Sequence, residues 1–324
     1  MAGAGLPGFS IVVPSLNQGR FIDDALRSVL DQAYPNVEII VVDGGSSDDT
    51  VELLRRYGNR IVWTSERDEG QAHAIEKGFA RATKEWLAWL NSDDIQCNGA
   101  LFAAADAIAR RPDADVVFGR GHYIDEAGAR LRDYPTMPIG PETDARRGFF
   151  ESGYVAQPSV YFRREAYRRA GGVDRSLHYV MDYELWIRLA RAGAKFAAFD
   201  RDISGNRWHE NAKTVAGLPK LYAEAVAVQV RHYGKVSPYF VQAISDHHYQ
   251  MRHAARAAPA RSLFWRWLYF KAAWIRLNAR RPGYCLRGLF AETIAKSGPI
   301  EGDHIRMFGW LRAEAPQGRR TPAE

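Results

Sequence analysis

From Phe9 to Leu90 the chain alternates short apolar runs with stretches whose apolar residues recur every three or four positions. Phe9 to Val13 is apolar and stops at Pro14; Arg20 to Gln32 then sets Phe21, Ala25, Leu26, Val29 and Leu30 on one helical face. Val37 to Val42 is β-branched and almost wholly apolar, the composition of a strand buried on both faces. Asp48 to Tyr57 follows as a helix with carboxylates in its first turn. Ile61 to Thr64, Gly70 to Thr83 and Glu85 to Leu90 continue the series as strand, helix and strand. The order β-α-β-α-β-α-β predicts an α/β fold with a mostly parallel sheet and helices on both faces.

In such a sheet the loops at the carboxyl ends of the strands converge on one crevice. Here they are Pro14 to Gly19, Asp43 to Asp49, Ser65 to Gly70 and Asn91 to Asp94, and all four are polar or acidic. The last is the most telling. The run Trp86-Leu87-Ala88-Trp89-Leu90 stops at Asn91-Ser92-Asp93-Asp94, which sets hard oxygen ligands where a metal-held phosphate would lie. A plain turn with Asp94 capping a helix is the competing reading. Neither Gly-x-Gly-x-x-Gly after the first strand nor Gly-x-x-x-x-Gly-Lys-Ser/Thr occurs, so dinucleotide-dehydrogenase and P-loop chemistry lose their main support.

Composition narrows the class without changing that picture. The 324 residues, 46% hydrophobic, are enough for one large domain with an appendage or for two domains. Two distant cysteines, Cys97 and Cys285, suggest neither a disulfide framework nor a zinc ribbon, and a reducing cytoplasm fits them best. Met1 to Gly8 lacks the pattern of a secretory signal, and no uncharged apolar run is long enough to span a bilayer. The formal charge of +6, carried mostly by arginine, favours anionic partners.

The ordered set of motifs resembles family-two glycosyltransferases of GT-A fold. The resemblance is carried by Phe9 to Gln32, Val41 to Thr50, Ser65-Glu66-Arg67-Asp68-Glu69-Gly70-Gln71, Leu90 to Asp94, Gln157-Pro158-Ser159, Gly171-Gly172-Val173-Asp174 and Asp182-Tyr183-Glu184-Leu185-Trp186. It implies a Rossmann-like catalytic domain over residues 1–215, followed by a helical, basic and aromatic-rich extension over 216–324. It also implies a metal-dependent, inverting transfer from a nucleoside-diphosphate sugar, of UDP or dTDP type, to a hydroxyl acceptor. The partners implied are that donor and a glycan or lipid-linked acceptor, with no nucleic acid. The setting is bacterial surface-polysaccharide assembly, in the cytoplasm or at the inner face of its membrane.

Roles follow residue by residue from the resemblance. Asp43 contacts the nucleobase, since a carboxylate can accept from a pyrimidine imide N–H. Pro14, Ser15 and Asn17 shape the base and ribose pocket, and Asp68 is a second nucleotide contact. Lys77 reaches a phosphate or is a solvated helix charge. Asp93 matches the last aspartate of the Asp-x-Asp motif and coordinates Mg²⁺ or Mn²⁺. Asn91 replaces the first aspartate and can bond a ribose hydroxyl, with Ser92 between them. His209 closes over the metal, and Arg207 and Lys213 hold the diphosphate. Asp182 is the base that deprotonates the acceptor, or else a carboxylate that stabilises a helix start. Glu184 is a reserve base facing away, while Gln157 and Trp186 lie on the acceptor side, Trp186 stacking on a sugar or filling the core.

Val116 to Glu126 reads as a strand and hairpin with turns at Gly119, Gly121 and Gly128, and Arg130 to Gly153 as a loop or lid. Leu263, Trp267, Phe270, Trp274 and Leu277 form one helical stripe with Arg266 and Arg276 off it. That stripe is either a peripheral membrane contact or ordinary packing. From Ala313 the chain is rich in Pro, Gly and Arg and is expected to fray. A nucleotidyltransferase using the same crevice, and a catalytically weak membrane- or glycan-binding module, are the alternative functions.

Overall fold

A computed structural model describes residues 5–136, 145–151, 155–209, 212–253, 259–281 and 283–285. The first seven elements follow the predicted alternation: β1 (Phe9–Ser15), α1 (Ile22–Leu30), β2 (Val37–Asp43), α2 (Thr50–Arg56), β3 (Val62–Ser65), α3 (Gln71–Arg81) and β4 (Trp86–Trp89). Every residue of β1 is buried, as expected of a strand covered on both faces. Packing, more than capping, holds α1 in place. Phe21 offers it no side-chain cap, a loss of about 1 kcal/mol, whereas burial of Ile22, Leu26 and Val29 contributes roughly 1.5–3 kcal/mol each.

The chain continues through β5 (Ile95–Gln96), α4 (Ala100–Arg110), β6 (Val116–Ile124), β7 (Arg130–Asp133), α5 (Ala145–Glu151), β8 (Val160–Arg163), α6 (Arg164–Ala170), α7 (Met181–Arg191) and β9 (Phe196–Arg207). The sheet order is β3-β2-β1-β4-β8-β6-β9-β5, with β7 paired to β6. The pairs among β3, β2, β1 and β4 are parallel, as the alternation predicts. Beyond β4 the sheet is mixed, which corrects the mostly parallel expectation: β8 runs antiparallel to both β4 and β6, and β6 is parallel to β9. The regular β-α alternation ends at Asp94, and antiparallel neighbours need no crossover helix.

Two further expectations change here. Gly119 and Gly121 are interior to β6 and not turns; only Gly128 turns the β6–β7 hairpin, at φ +87°. A Cβ at Gly121 would lie 2.8 Å from both Ala156 Cβ and Ser204 Oγ, so this glycine allows close approach at an irregular register. The stretch Arg130 to Gly153 is not a continuous loop either, since it contains β7 and α5; residues 137–144 and 152–153 of the expected lid lie outside the described residues.

The chain divides into two compact units, Met1–Ala225 and Val226–Glu324. The helices α8 (Lys213–Ala216) and α9 (Leu218–Tyr233) follow β9, and the division falls within α9. In the second unit α10 (Pro238–His253) and α11 (Pro259–Asn278) pack on one another. Of the predicted stripe, Phe270 and Trp274 are buried, and the Trp274 indole N–H donates to Cys285 O at 2.9 Å. Those two residues therefore serve packing. The side chains of Leu263, Arg266 and Trp267, and the segment from Ala313, lie outside the described residues. No helix among the described residues is long and apolar enough to cross a membrane.

Candidate active site

The first two strand-end loops are bonded together before any ligand is considered. Asn17, in the left-handed region at φ +52°, donates its N–H to Ser46 Oγ at 2.7 Å and accepts from Ser47 N at 2.9 Å. Gln18 N donates to Thr50 Oγ1 at 3.0 Å and Gly19 N to Asp48 Oδ2 at 3.0 Å. Pro14 and Ser15 close β1 as buried residues beneath this seam. Asp43 ends β2 and is wholly buried. Its carboxylate accepts from Gly45 N (3.1 Å), Ser46 N (2.9 Å), Ser46 Oγ (2.5 Å) and Ser65 Oγ (2.6 Å). These bonds shape the loop that follows β2, three of them to Oδ2 and one to Oδ1. Asp68 stands against Gly44, where a Cβ would meet its Oδ2 at 3.0 Å, and accepts from Gly70 N at 2.8 Å. The Lys77 ammonium pairs with Glu66, in the loop that follows β3, at 2.5 Å.

The acidic stop after β4 is the centre of the site. Asp93 Oδ2 lies 3.0 Å from His209 Nε2, a meeting of residues 116 positions apart. Asp94 turns inward instead. It accepts from Arg207 N at 2.8 Å and from the Asn91 amide at 3.0 Å, while burial and the neighbouring Asp93 hold its carboxyl well above the usual range. No helix follows Asp94, because β5 does, so the helix-cap reading is set aside. Asn91 now has a physical reason: an aspartate there would press another carboxylate against buried Asp94. Its Oδ1 accepts from Gln71 Nε2 at 2.8 Å, and Gln71 Oε1 accepts from Lys213 Nζ at 3.1 Å. Ser92 is buried within the same turn.

Arg207 does not face a diphosphate. Its side chain is 1% exposed and its donors are spent on Asp93 O (2.7 Å), Asp125 O (3.2 Å), Glu126 O (2.7 Å) and Asp24 Oδ2 (3.1 Å). Phe21 lies beneath the guanidinium at 4.8 Å and against the His209 ring at 5.1 Å. This arginine ties the acidic stop to α1 and to the β6–β7 turn. Replacing it by methionine leaves three carbonyls and a carboxylate without their donor, and should lower the unfolding free energy by about 3 kcal/mol. Urea unfolding of Arg207→Met measures this, and wild-type stability would refute the anchoring role.

Asp182 is the second residue of α7. Burial raises its pKa, opposed by the N–H groups of Tyr183 and Asp182 and by the charge of Lys213. Desolvation lowers the pKa of Lys213, against the pull of Glu224 and Asp182. Glu184 is 1% exposed and held by Arg188 at 2.7 Å, so the reserve base is occupied. Trp186 fills the core: it is buried and stacked on Trp89 at 5.5 Å, which corrects the acceptor-stacking alternative. Gln157, in the short 3-10 turn before β8, is buried and donates to Trp89 O at 2.8 Å, and its Oε1 has no partner among the described residues.

Three residues mattered more than their sequence context suggested. Phe21 read only as a core position, and Asp24 carried no reading at all. Gln71 stood within the matched motif without a role, although a polar residue opening a helix beside a strand end was the available signal.

Among the described residues, Cys97, His122 and Asp202 form the one group of three metal-capable side chains, with ligand atoms within 4.8 Å of one another. His122 Nδ1 is bonded to Asp202 Oδ1 at 2.9 Å, and Arg130 pairs with Asp202 Oδ2. Burial, with Asp202 adding to it, pushes the Cys97 thiol up to about 11. With a guanidinium already on the carboxylate and a neutral thiol, this is an ion-pair network whose positive charge is supplied from within.

Comparison with known proteins agrees with this architecture. The model of glycosyl transferase family 2 matches residues 10–171, which is 162 of the 324 residues. A mycobacterial PGL/p-HBAD biosynthesis glycosyltransferase (Mycobacterium bovis) is 31% identical over 187 residues, covering 56% of this chain and 69% of the relative. An uncharacterized glycosyltransferase of Rickettsia conorii is 28% identical over 192 residues, covering 56% of this chain; the match spans only 31% of that protein's length. The crystal structure of S. aureus TarS 1-349 in complex with UDP-GlcNAc superimposes with a TM-score of 0.54 at 15% identity, over 84% of this chain and 83% of that one. At that identity the likeness is one of fold.

Proposed function

Because the chain belongs to glycosyl transferase family 2, we propose that it moves a glycosyl group from a UDP-type sugar nucleotide to a hydroxyl of a glycan or lipid-linked acceptor, with inversion at the anomeric carbon, in bacterial surface-glycan assembly. One observation carries the proposal. A hydrogen-bonded path runs from Asn91 in the acidic stop through Gln71 to Lys213, whose charge partly offsets the rise that burial gives the Asp182 pKa. The loops that would hold the leaving diphosphate and the group that would take the acceptor proton thus belong to one site. The S. aureus neighbour's complexes with UDP-GlcNAc and UDP support UDP as the donor's nucleotide.

In this reading Pro14, Ser15, Asn17, Asp68 and Ser92 line the nucleoside side, and Lys213 carries the positive charge nearest the diphosphate. Asp93 and His209 fit a divalent cation, since an anionic oxygen and an imidazole nitrogen converge at 3.0 Å; the nitrogen favours Mn²⁺ over Mg²⁺. Such an ion, when bound, neutralises charge that grows on the departing diphosphate. Asp182 accepts the acceptor proton as the hydroxyl attacks on the face opposite the leaving group. Gln157 stands on the acceptor side. Burial of Phe270 and Trp274 supports transfer over the membrane-binding module.

The test is a thermal-shift and turnover screen of nucleoside diphosphates and sugar nucleotides with and without Mn²⁺ or Mg²⁺. A hundredfold excess of UDP over its Kd should stabilise the protein by about 2.7 kcal/mol, and only with metal. No response to any nucleotide from folded protein would reject the proposal, and pyrophosphate release from a nucleoside triphosphate would replace it with nucleotidyl transfer.

A further inference from the structure

Glu224 lies in α9, nine residues beyond the expected end of the catalytic domain, yet its carboxylate reaches back to the start of α7. It accepts from His178 N at 2.9 and 3.1 Å, from Tyr179 N at 2.7 Å and from Val180 N at 3.3 Å. Those three residues immediately precede α7, whose first turn carries Asp182. Val180 gives α7 no side-chain cap, and a carboxylate from a distant helix instead fixes the three backbone N–H groups that lead into its first turn.

Two other contacts of the same segment converge on this turn. The Tyr179 ring lies so close to Gly217 that a Cβ there would meet ring atom Cε1 at 2.1 Å. Lys213 Nζ lies 5.6 Å from the centre of the same ring. The turn also borders the donor loop, with Arg175 paired to Glu69 at 2.5 Å.

We propose that Glu224 is a positioning residue for glycosyl transfer: by fixing the N–H groups of residues 178–180 it sets the direction of the Asp182 carboxylate, and its charge helps hold Lys213 beside it. This rests on Asp182 being the base. It makes the segment from Lys213 to Glu224 part of the catalytic apparatus, contrary to a domain that ends at residue 215.

The experiment compares Glu224→Gln with wild type in the full chain. The amide keeps the size of the side chain but turns an N–H₂ group toward backbone donors. Misplacement of a reacting group can cost on the order of 100-fold, so kcat should fall by roughly 10- to 100-fold with the donor KM within about twofold, and amide hydrogen exchange at residues 178–182 should accelerate. Wild-type kcat and exchange would overturn the proposal, as would equal losses in kcat and donor binding. If Glu224→Gln does not fold, Gly217→Ala takes its place, since it pushes on Tyr179 while keeping Glu224 and Asp182; unchanged kcat there refutes the idea. Asp182→Asn is the control. Should it retain wild-type turnover, the base assignment itself fails; should it be inactive while Glu224→Gln turns over normally, only the positioning role fails.

Discussion

Asp182→Asn lowers kcat by roughly 10²- to 10⁴-fold, the range expected when a general base is removed, while the protein still binds UDP and melts no lower than wild type. The last clause separates chemistry from folding. Burial raises the Asp182 pKa above its ordinary 3.8, so the folded state favours the protonated acid. The stability it contributes is present at low pH and is lost as pH rises through the folded-state pKa. At neutral pH the ionised group is a cost, and the uncharged amide removes that cost. Turnover has the opposite sign, because only the carboxylate can take a proton. The acid limb of kcat/KM should therefore lie above pH 3.8, with activity falling as pH is lowered through it. Lys213 opposes the upward shift, so Lys213→Met should move that limb to higher pH. pH profiles of the wild type and Lys213→Met check both statements; full activity in Asp182→Asn removes the residue from the mechanism.

The second large effect belongs to Asp93. Asp93→Ala should cut turnover by roughly 10²- to 10³-fold at saturating Mn²⁺, the scale of losing a group aimed at charge that develops in the transition state. The metal-dependent part of the UDP thermal shift should vanish with it. Stability should hold, because Arg207 is bonded to the Asp93 carbonyl and not to its side chain, so truncation leaves the loop anchored. Metal-stimulated turnover at the wild-type level in this variant would refute the ligand assignment.

The places of these two residues, beyond an apolar strand and in the first turn of a helix, were legible in the sequence. Asp93 follows an apolar strand with no ambiguity of period, and β1 to β4 were readable because strands buried on both faces leave few alternatives. The mixed half of the sheet was not, since short strands such as Ile95–Gln96 carry no periodicity and their pairing depends on partners more than a hundred residues away. Side-chain direction was the other limit. Arg207 lies three residues after Ser204, close to His209, and a basic residue there suits a phosphate contact. Only the fold shows its donors spent on carbonyls of the Asp93 and Asp125 turns. Asp43 likewise has the chemistry to read a base but is enclosed by its own loop. Glu224 lacked any local signal, because the N–H groups it answers lie 44 to 46 residues earlier.

The placement of β9 also orders events during synthesis. Strands β1 to β4 have all been made once residue 94 is synthesised, and their parallel pairs join residues no more than 77 positions apart. His209 reaches Asp93 only after β9 has paired with both β6 and β5. Chains emerge from the ribosome amino end first, and distant contacts form slowly. A nascent chain therefore has β1 to β4 before it has Arg207, His209 or Lys213, and the acidic stop gains its contacts to the first two of these only when β9 closes the sheet.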